Sequence, residues 1–258
     1  DGTVNMNIDT EDNIHIKLRD NLVTLNEILL EASGEVSLLE DSYDLDLAFA
    51  SKETSFKRIL SLVPAVYMEG YEALSADGAF SLEGYVKGIY SENRLPGFRV
   101  DLGIEDGLMQ YPDLPESISG INLDMNISNP DGNLENTQIN IRNLHADLGE
   151  NPIQASAAIS GLERIKLNGN LNAKIDLGSL TKMLPMEGNE LSDLFSVNAK
   201  ANGVYDEAAN SFPVVDGHMN LTDGYVKAVD YNTVLNNINV KADLVEASGD
   251  LQTTRLEV

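Results

Sequence analysis

The chain's 258 residues carry 42 acidic against 17 basic side chains, a formal charge of −25 that repels phosphate backbones and anionic headgroups and so argues against nucleic-acid binding. It contains no Cys, which excludes a disulfide framework and thiolate metal sites without fixing the compartment. The length permits one large β domain or two smaller ones, and no run approaches the roughly 18 consecutive apolar residues that a membrane span requires.

The chain opens at Asp1 directly into the alternating run VNMNI, Val4 to Ile8, with no basic or apolar leader ahead of it. It is therefore expected to be a soluble piece of a longer protein, with any signal or anchor outside it. Alternation of apolar and polar residues, the mark of half-buried strands, then recurs throughout. It runs through NIHIKL (Asn13 to Leu18), YDLDLAF (Tyr43 to Phe49), INLDMNI (Ile121 to Ile127), TQINI (Thr137 to Ile141), NLNAKIDL (Asn170 to Leu177) and NINVKADL (Asn237 to Leu244). One face of each carries aliphatic side chains and the other Asn, Asp, Lys or Thr, which predicts an antiparallel sheet with one dry and one wet face. Asp77-Gly78, Asn129-Pro130-Asp131-Gly132, Glu150-Asn151-Pro152 and Asp223-Gly224 supply the reversals.

Helical spacing is confined to short stretches. SFKRILSLVP sets Phe56, Ile59, Leu60 and Val63 on one stripe with Pro64 as the stop, and GSLTKMLP predicts a helix over Leu180 to Leu184, capped at Ser179 and stopped by Pro185. ELSDLF adds Leu191, Leu194 and Phe195 at helical spacing. Such helices are too short to stand alone and are expected to pack on the sheet or plug one end of it. At least half of the residues are expected in strands.

An internal repeat is visible. DGLMQYPDLPESISGINLDM (Asp106 to Met125) aligns without gaps on DGYVKAVDYNTVLNNINVKA (Asp223 to Ala242), 117 positions later, and the order strand, strand, helix, Pro also occurs twice upstream. The chain is read as approximate units 1–105 and 106–222 with the start of a third at 223–258: a mainly β fold, an elongated, curved antiparallel groove or open sandwich of about two repeats, each with a short helix.

Little here can do chemistry. His15, His145 and His218 sit at polar-facing positions with no second His or Cys at ligand spacing, so no metal site is assigned. Asp131, Asn133 and Glu135 alternate as calcium ligands do, but the Gly and terminal Glu of an EF-hand are out of place, and a hairpin turn explains the stretch. No nucleophile elbow, phosphate-cradling loop or dinucleotide fingerprint appears, and no cofactor or enzymatic activity is assigned. With no Trp the chain also lacks the stacking platforms common in sugar-binding and single-strand nucleic-acid modules.

Between Asp106 and Glu163 the sequence resembles the AsmA family of Gram-negative envelope proteins, in the branch with the AsmA-like C-terminal region, related to TamB and bridge-like lipid transfer proteins. The residues that carry the likeness are Asp106-Gly107-Leu108, Tyr111-Pro112-Asp113-Leu114-Pro115, INLDMNISNP and HADLGENP, His145 to Pro152. The resemblance implies a periplasmic segment of a protein held in the inner membrane by an anchor outside this piece, forming a β groove whose apolar floor binds or carries phospholipid or another acyl-chain ligand and supports outer-membrane assembly, with outer-membrane assembly proteins as possible partners. It implies no catalytic residues.

The lining expected of such a groove is the dry set on the clearest strands: Ile121, Leu123, Met125 and Ile127; Ile139 and Ile141; Leu171, Ile175 and Leu177; and Ile238 and Val240. Each methylene of a bound chain buried there contributes about 0.8 kcal/mol. The same rows could instead form an ordinary sandwich core. A scaffold that docks partner proteins through its edge strands without lipid is the alternative from another class, and a calcium- or sugar-binding surface built on the acidic turns is a third.

Overall fold

The computed structural model describes residues 3–8, 14–52, 55–58, 74–111, 115–184, 188–229, 234–245 and 255–257. The alternating runs extend side by side as strands Thr3–Ile8 (β1), Ile14–Leu25 (β2), Ile28–Leu38 (β3), Tyr43–Ser51 (β4), Ser75–Tyr90 (β5), Gly97–Gln110 (β6), Ile118–Asn129 (β7) and Gln138–Leu148 (β8). They continue as Asn151–Ser160 (β9), Ile165–Asp176 (β10), Glu190–Ser192 (β11), Leu194–Tyr205 (β12), Val214–Lys227 (β13), Val234–Val245 (β14) and Arg255–Glu257 (β15), with one α-helix among the described residues, Leu177–Met183 (α1).

All the described strands belong to one sheet in sequence order, every pairing is antiparallel, and β11 adds to β13 beside the start of β12. Among the described residues the protein is mainly β, with 75% in strands, and the sheet is open.

The registers repeat. Across β6 and β7, Ile104 pairs with Leu123, Gly107 with Ile121 and Met109 with Ile118; across β13 and β14, Leu221 pairs with Val240, Gly224 with Ile238 and Val226 with Leu235. The extra residues in β6 and β13 form bulges, and the same side chain satisfies each. Asn122 Oδ1 accepts from the Asp106 amide (3.2 Å) while its Nδ2 donates to the Gly120 carbonyl (2.8 Å). Asn239 does the same for Asp223 (3.0 Å) and Asn237 (3.1 Å). Asp106 and Asp223 both take the left-handed conformation, φ 48° and 55°, which Asp tolerates better than most residues.

A second shift recurs between β2/β3 and β8/β9, where Leu18–Gly34 and Asn21–Ala32 correspond to Ile141–Ala157 and Leu144–Ala155. The repeating unit is thus six strands, β2 to β7 and then β8 to β14, with β11 and β12 together standing where β5 stands in the first unit.

The rims differ. One carries the connections that bear helical segments, 52–74 and 177–193, together with 111–117 and 228–233, while the other has turns at 39–42, 91–96, 130–137, 161–164 and 206–213. Near the first rim, a 3₁₀ turn at 56–58 holds Phe56 buried at 4% exposure, tied by a Ser55–Ala79 bridge and by the Arg58 guanidinium donating to the Glu27 carbonyl (2.6 Å). The rest of the predicted stripe, Ile59, Leu60 and Val63, lies outside the described residues.

The second predicted helix forms earlier than expected. Asp176 rather than Ser179 is its cap, accepting from the Gly178 amide (2.9 Å), and Ser179 Oγ donates to the other Asp176 oxygen (3.0 Å). The ELSDLF stretch is not helical. Leu191 pairs with Val226 in β11, Asp193 breaks the strand at φ 82°, and Phe195 pairs with Leu221 in β12. A spacing of four fits a two-residue period as well as a helical turn, and Leu194, which only the helix would have buried, is exposed.

Candidate apolar binding surface

Residues directly opposite in a ladder share a face, so the registers trace the dry side strand by strand. One row runs Phe80, Ile104, Leu123, Leu144, Ala155, Leu171, Ala199, Gly217 from β5 to β13. The next runs Leu82, Leu102, Met125, Ile141, Ala157, Gly169, Ala201, Val215 over the same strands. A third, Ala32, Phe49, Gly84, Val100, Ile127, Ile139, Ile159, Leu167, begins at β3. Ile175 joins Phe195, Leu221 and Val240, while Ile121 and Ile238 face Gly107 and Gly224.

The strand residues expected to line a groove therefore all lie on one face, and Leu123 with Leu171, Met125 with Ile141 and Ile127 with Ile139 share rows. Leu177 does not join them. It is the first residue of α1, outside the ladder, because the Asp176 cap ends β10 one residue before it.

Sequence reasoning missed Phe80, Leu82, Val100, Leu102, Ile104, Val197 and Met219, which complete the surface. The signal was present in AFSLEGYV and FRVDLGI, whose alternation is as regular as that of the strands chosen.

The surface is closed at one part and open at another. Ile28, Leu30, Phe56, Phe80, Leu82, Ile104 and Ile121 form a buried cluster towards the helical rim of the first unit, with Phe49, Val100, Leu102 and Leu123 against it. Phe80 is 2% exposed, a burial that contributes about 3 kcal/mol. In the second unit α1 reaches over the same rim: Met183 is buried, the Glu116 amide donates to the Lys182 carbonyl (3.1 Å), and Lys182 pairs with Glu116 (3.0 Å). Away from the helix the floor opens, with Leu171 39% exposed between Ala155 and Ala199. Met125, Ile127, Ile139, Ile141, Ile175, Ile238 and Val240 are half-buried, as is Leu123, while Ile121 is buried.

The polar face from β2 to β8 is a ladder of ion pairs. Lys17, Glu35, Asp46 and Lys87 lie in one register row across β2 to β5, with Lys17 on Glu35 and Lys87 on Asp46. Arg99 grips Asp101 through two nitrogens (2.6 and 2.7 Å) and Arg142 grips Asp124, so each guanidinium holds its carboxylate below the usual range.

The histidines find local partners: His15 bonds Ser37 Oγ (2.8 Å), and His145 and His218 lie 3.3 and 3.4 Å from Asp147 and Asp243. In the 130–137 turn, Asp131 accepts from the Asn133 amide (3.0 Å) and from Asn136 Nδ2 (2.7 Å), and Glu135 accepts from the Glu163 amide (3.0 Å). Its oxygens close the turn around Asn129, which is fully buried and accepts from the Gly132 amide (2.6 Å). Among the described residues no three His, Cys, Asp or Glu gather as a metal site, and no helix is long and apolar enough to cross a membrane.

No protein-family model, curated protein or solved structure matches the chain.

Proposed function

We propose that this chain is a non-enzymatic, acyl-chain-binding segment of an AsmA-type envelope protein, working in the periplasm of a Gram-negative bacterium and held to the inner membrane by an anchor outside the segment. The observation that carries the reading is the dry face itself. It runs without a polar interruption through rows eight residues long or more, and among the described residues no second sheet lies over it.

A sheet that needed only to be stable would bury such a face against another layer. Here the partial exposure of Leu171 and its neighbours leaves aliphatic surface that an acyl chain can cover, with each buried methylene contributing about 0.8 kcal/mol and no polar group needed to orient it. The floor selects for apolar length rather than for a headgroup, which suits carriage of phospholipid between membranes in support of outer-membrane assembly.

Organic extraction and native mass spectrometry of the purified protein test this. Phospholipid that copurifies in stoichiometric amounts is the expected result. Repeated lipid-free preparations that also fail to take up lipid from vesicles overturn it in favour of a protein scaffold docking partners at its edges.

A further inference from the structure

The two units share one fold and one register, so each polar-face position of the second has a counterpart in the first, and the two polar faces differ in charge. In the first unit that face is acidic at Asp44, Asp46, Glu35 and Glu83. At the equivalent positions the second unit has Lys166, Asn168, Ala158 and Asn198, and Tyr85 is replaced by Lys200. Across β9, β10 and β12 the outward positions between Gln154 and Val204 carry no carboxylate before the helix cap at Asp176, in a chain with 42 acidic residues.

What replaces the acids is amide and ammonium. Asn168, Asn170 and Asn172 project in succession from β10, opposite Asn202, Lys200 and Asn198 on β12. The three lysines of this face, Lys166, Lys174 and Lys200, are exposed and take part in no ion pair among the described residues, whereas Lys17, Lys87 and Arg99 of the first unit are paired with carboxylates. A concavity of about 510 Å³ lies at one end of the array, lined by Lys166, Asn168 and Asn202 together with the apolar Ile159, Leu167 and Val204.

We infer that this amide and lysine face of the second unit is a binding site for an acidic glycan, a polyhydroxylated chain carrying carboxylates. Side-chain amides donate and accept in pairs as sugar hydroxyls do, and an unpaired ammonium offers three donors to a carboxylate. Amides recur about 4.8 Å apart across strands and about 6.8 Å apart along them, a grid that meets an extended polymer at several points without aromatic stacking. The net charge of −25 and Asp216, opposite Lys200 on β13, disfavour a polyanion at long range, so recognition rests on direct contact, with ammonium and carboxylate at about 2.8 Å. The site lies on the face opposite the acyl-binding surface and does not depend on it.

Titration calorimetry at physiological ionic strength tests the site with hexagalacturonate, maltohexaose and hexaglutamate as probes. Saturable binding of hexagalacturonate, at least tenfold tighter than either other probe, is expected. Lys166→Asp with Lys200→Asp should weaken it at least tenfold, while Lys57→Glu, an exposed cation elsewhere, changes it less than twofold, and neither variant should shift the melting temperature by more than a few degrees. Absence of saturable binding, equal weakening by Lys57→Glu, or hexaglutamate binding as tightly as the glycan each overturns the inference, the last by identifying an acidic peptide as the occupant. Equal binding of maltohexaose overturns it in favour of a neutral sugar.

Discussion

A carboxylate placed on the open floor should abolish acyl binding without unfolding the protein. Leu171 is 39% exposed and flanked in its row by Ala155 and Ala199. Full burial of a Leu contributes roughly 1.5–3 kcal/mol, so Leu171→Asp forfeits about 1–2 kcal/mol, and its carboxylate reaches water past two methyl groups. An acyl chain laid over that row must strip the water away, which costs on the order of 3 kcal/mol or more, over a hundredfold in affinity. Leu123, in the same row, lies between Ile104 and Leu144 and against the buried cluster, so Leu123→Asp should lose about 3–5 kcal/mol of stability. Urea denaturation and uptake of a fluorescent fatty-acyl probe, measured on both variants, separate the effects. Normal uptake by a folded Leu171→Asp protein would refute the acyl surface, and unfolding of Leu171→Asp to the same degree as Leu123→Asp would show the floor sealed.

Asn122→Ala and Asn239→Ala should each cost about 1–2 kcal/mol in urea denaturation, since each leaves a bulge amide without its acceptor, and the two losses should agree within about 0.5 kcal/mol. Replacing the α1 cap, Asp176→Ala, should lower stability by about 1 kcal/mol, read in the same assay. Asp101 and Asp124 titrate lower when folded, so their stabilisation is present above the unfolded value and is lost as pH falls through the folded one. The melting temperature should hold down to about pH 5 and fall below about pH 4, and Arg142→Gln should blunt that fall. EDTA should leave the melting temperature unchanged, because the Asp131 oxygens already accept within the turn and Glu135 accepts from the Glu163 amide of the neighbouring turn; a drop of several degrees would refute that account.

The strands and the dry face were legible in the sequence because one physical rule, period-two alternation, governs both. INLDMNI and NINVKADL show their inward residues directly, and the 117-residue repeat foretold that Leu123 and Val240 would occupy equivalent places. Errors arose where one residue changes the phase. Asp193 interrupts a strand whose apolar spacing also suits a helix, and Asp176 captures the helix cap from Ser179, since a carboxylate placed one residue before the first helical turn reaches the Gly178 amide. The amide and lysine array was not legible at all: Asn168, Asn198 and Lys200 are unremarkable polar residues until the register sets them beside one another and opposite their acidic counterparts.

The bulge that recurs in each unit also fixes how such a molecule can change size. A unit of six strands spaced about 4.8 Å apart advances the sheet by about 29 Å along its hydrogen-bonding direction. Losing or gaining a single strand would reverse the chain and move the helical connections to the opposite rim, and a residue gained without a bulge to absorb it would turn the apolar rows to the wet side. Gene duplication or deletion is therefore tolerated in whole units or pairs of strands, and the span of the sheet becomes a nearly discrete quantity, graduated like a ruler. A gap between two surfaces could be matched by adding graduations while every inserted row of aliphatic side chains falls into line with its predecessors.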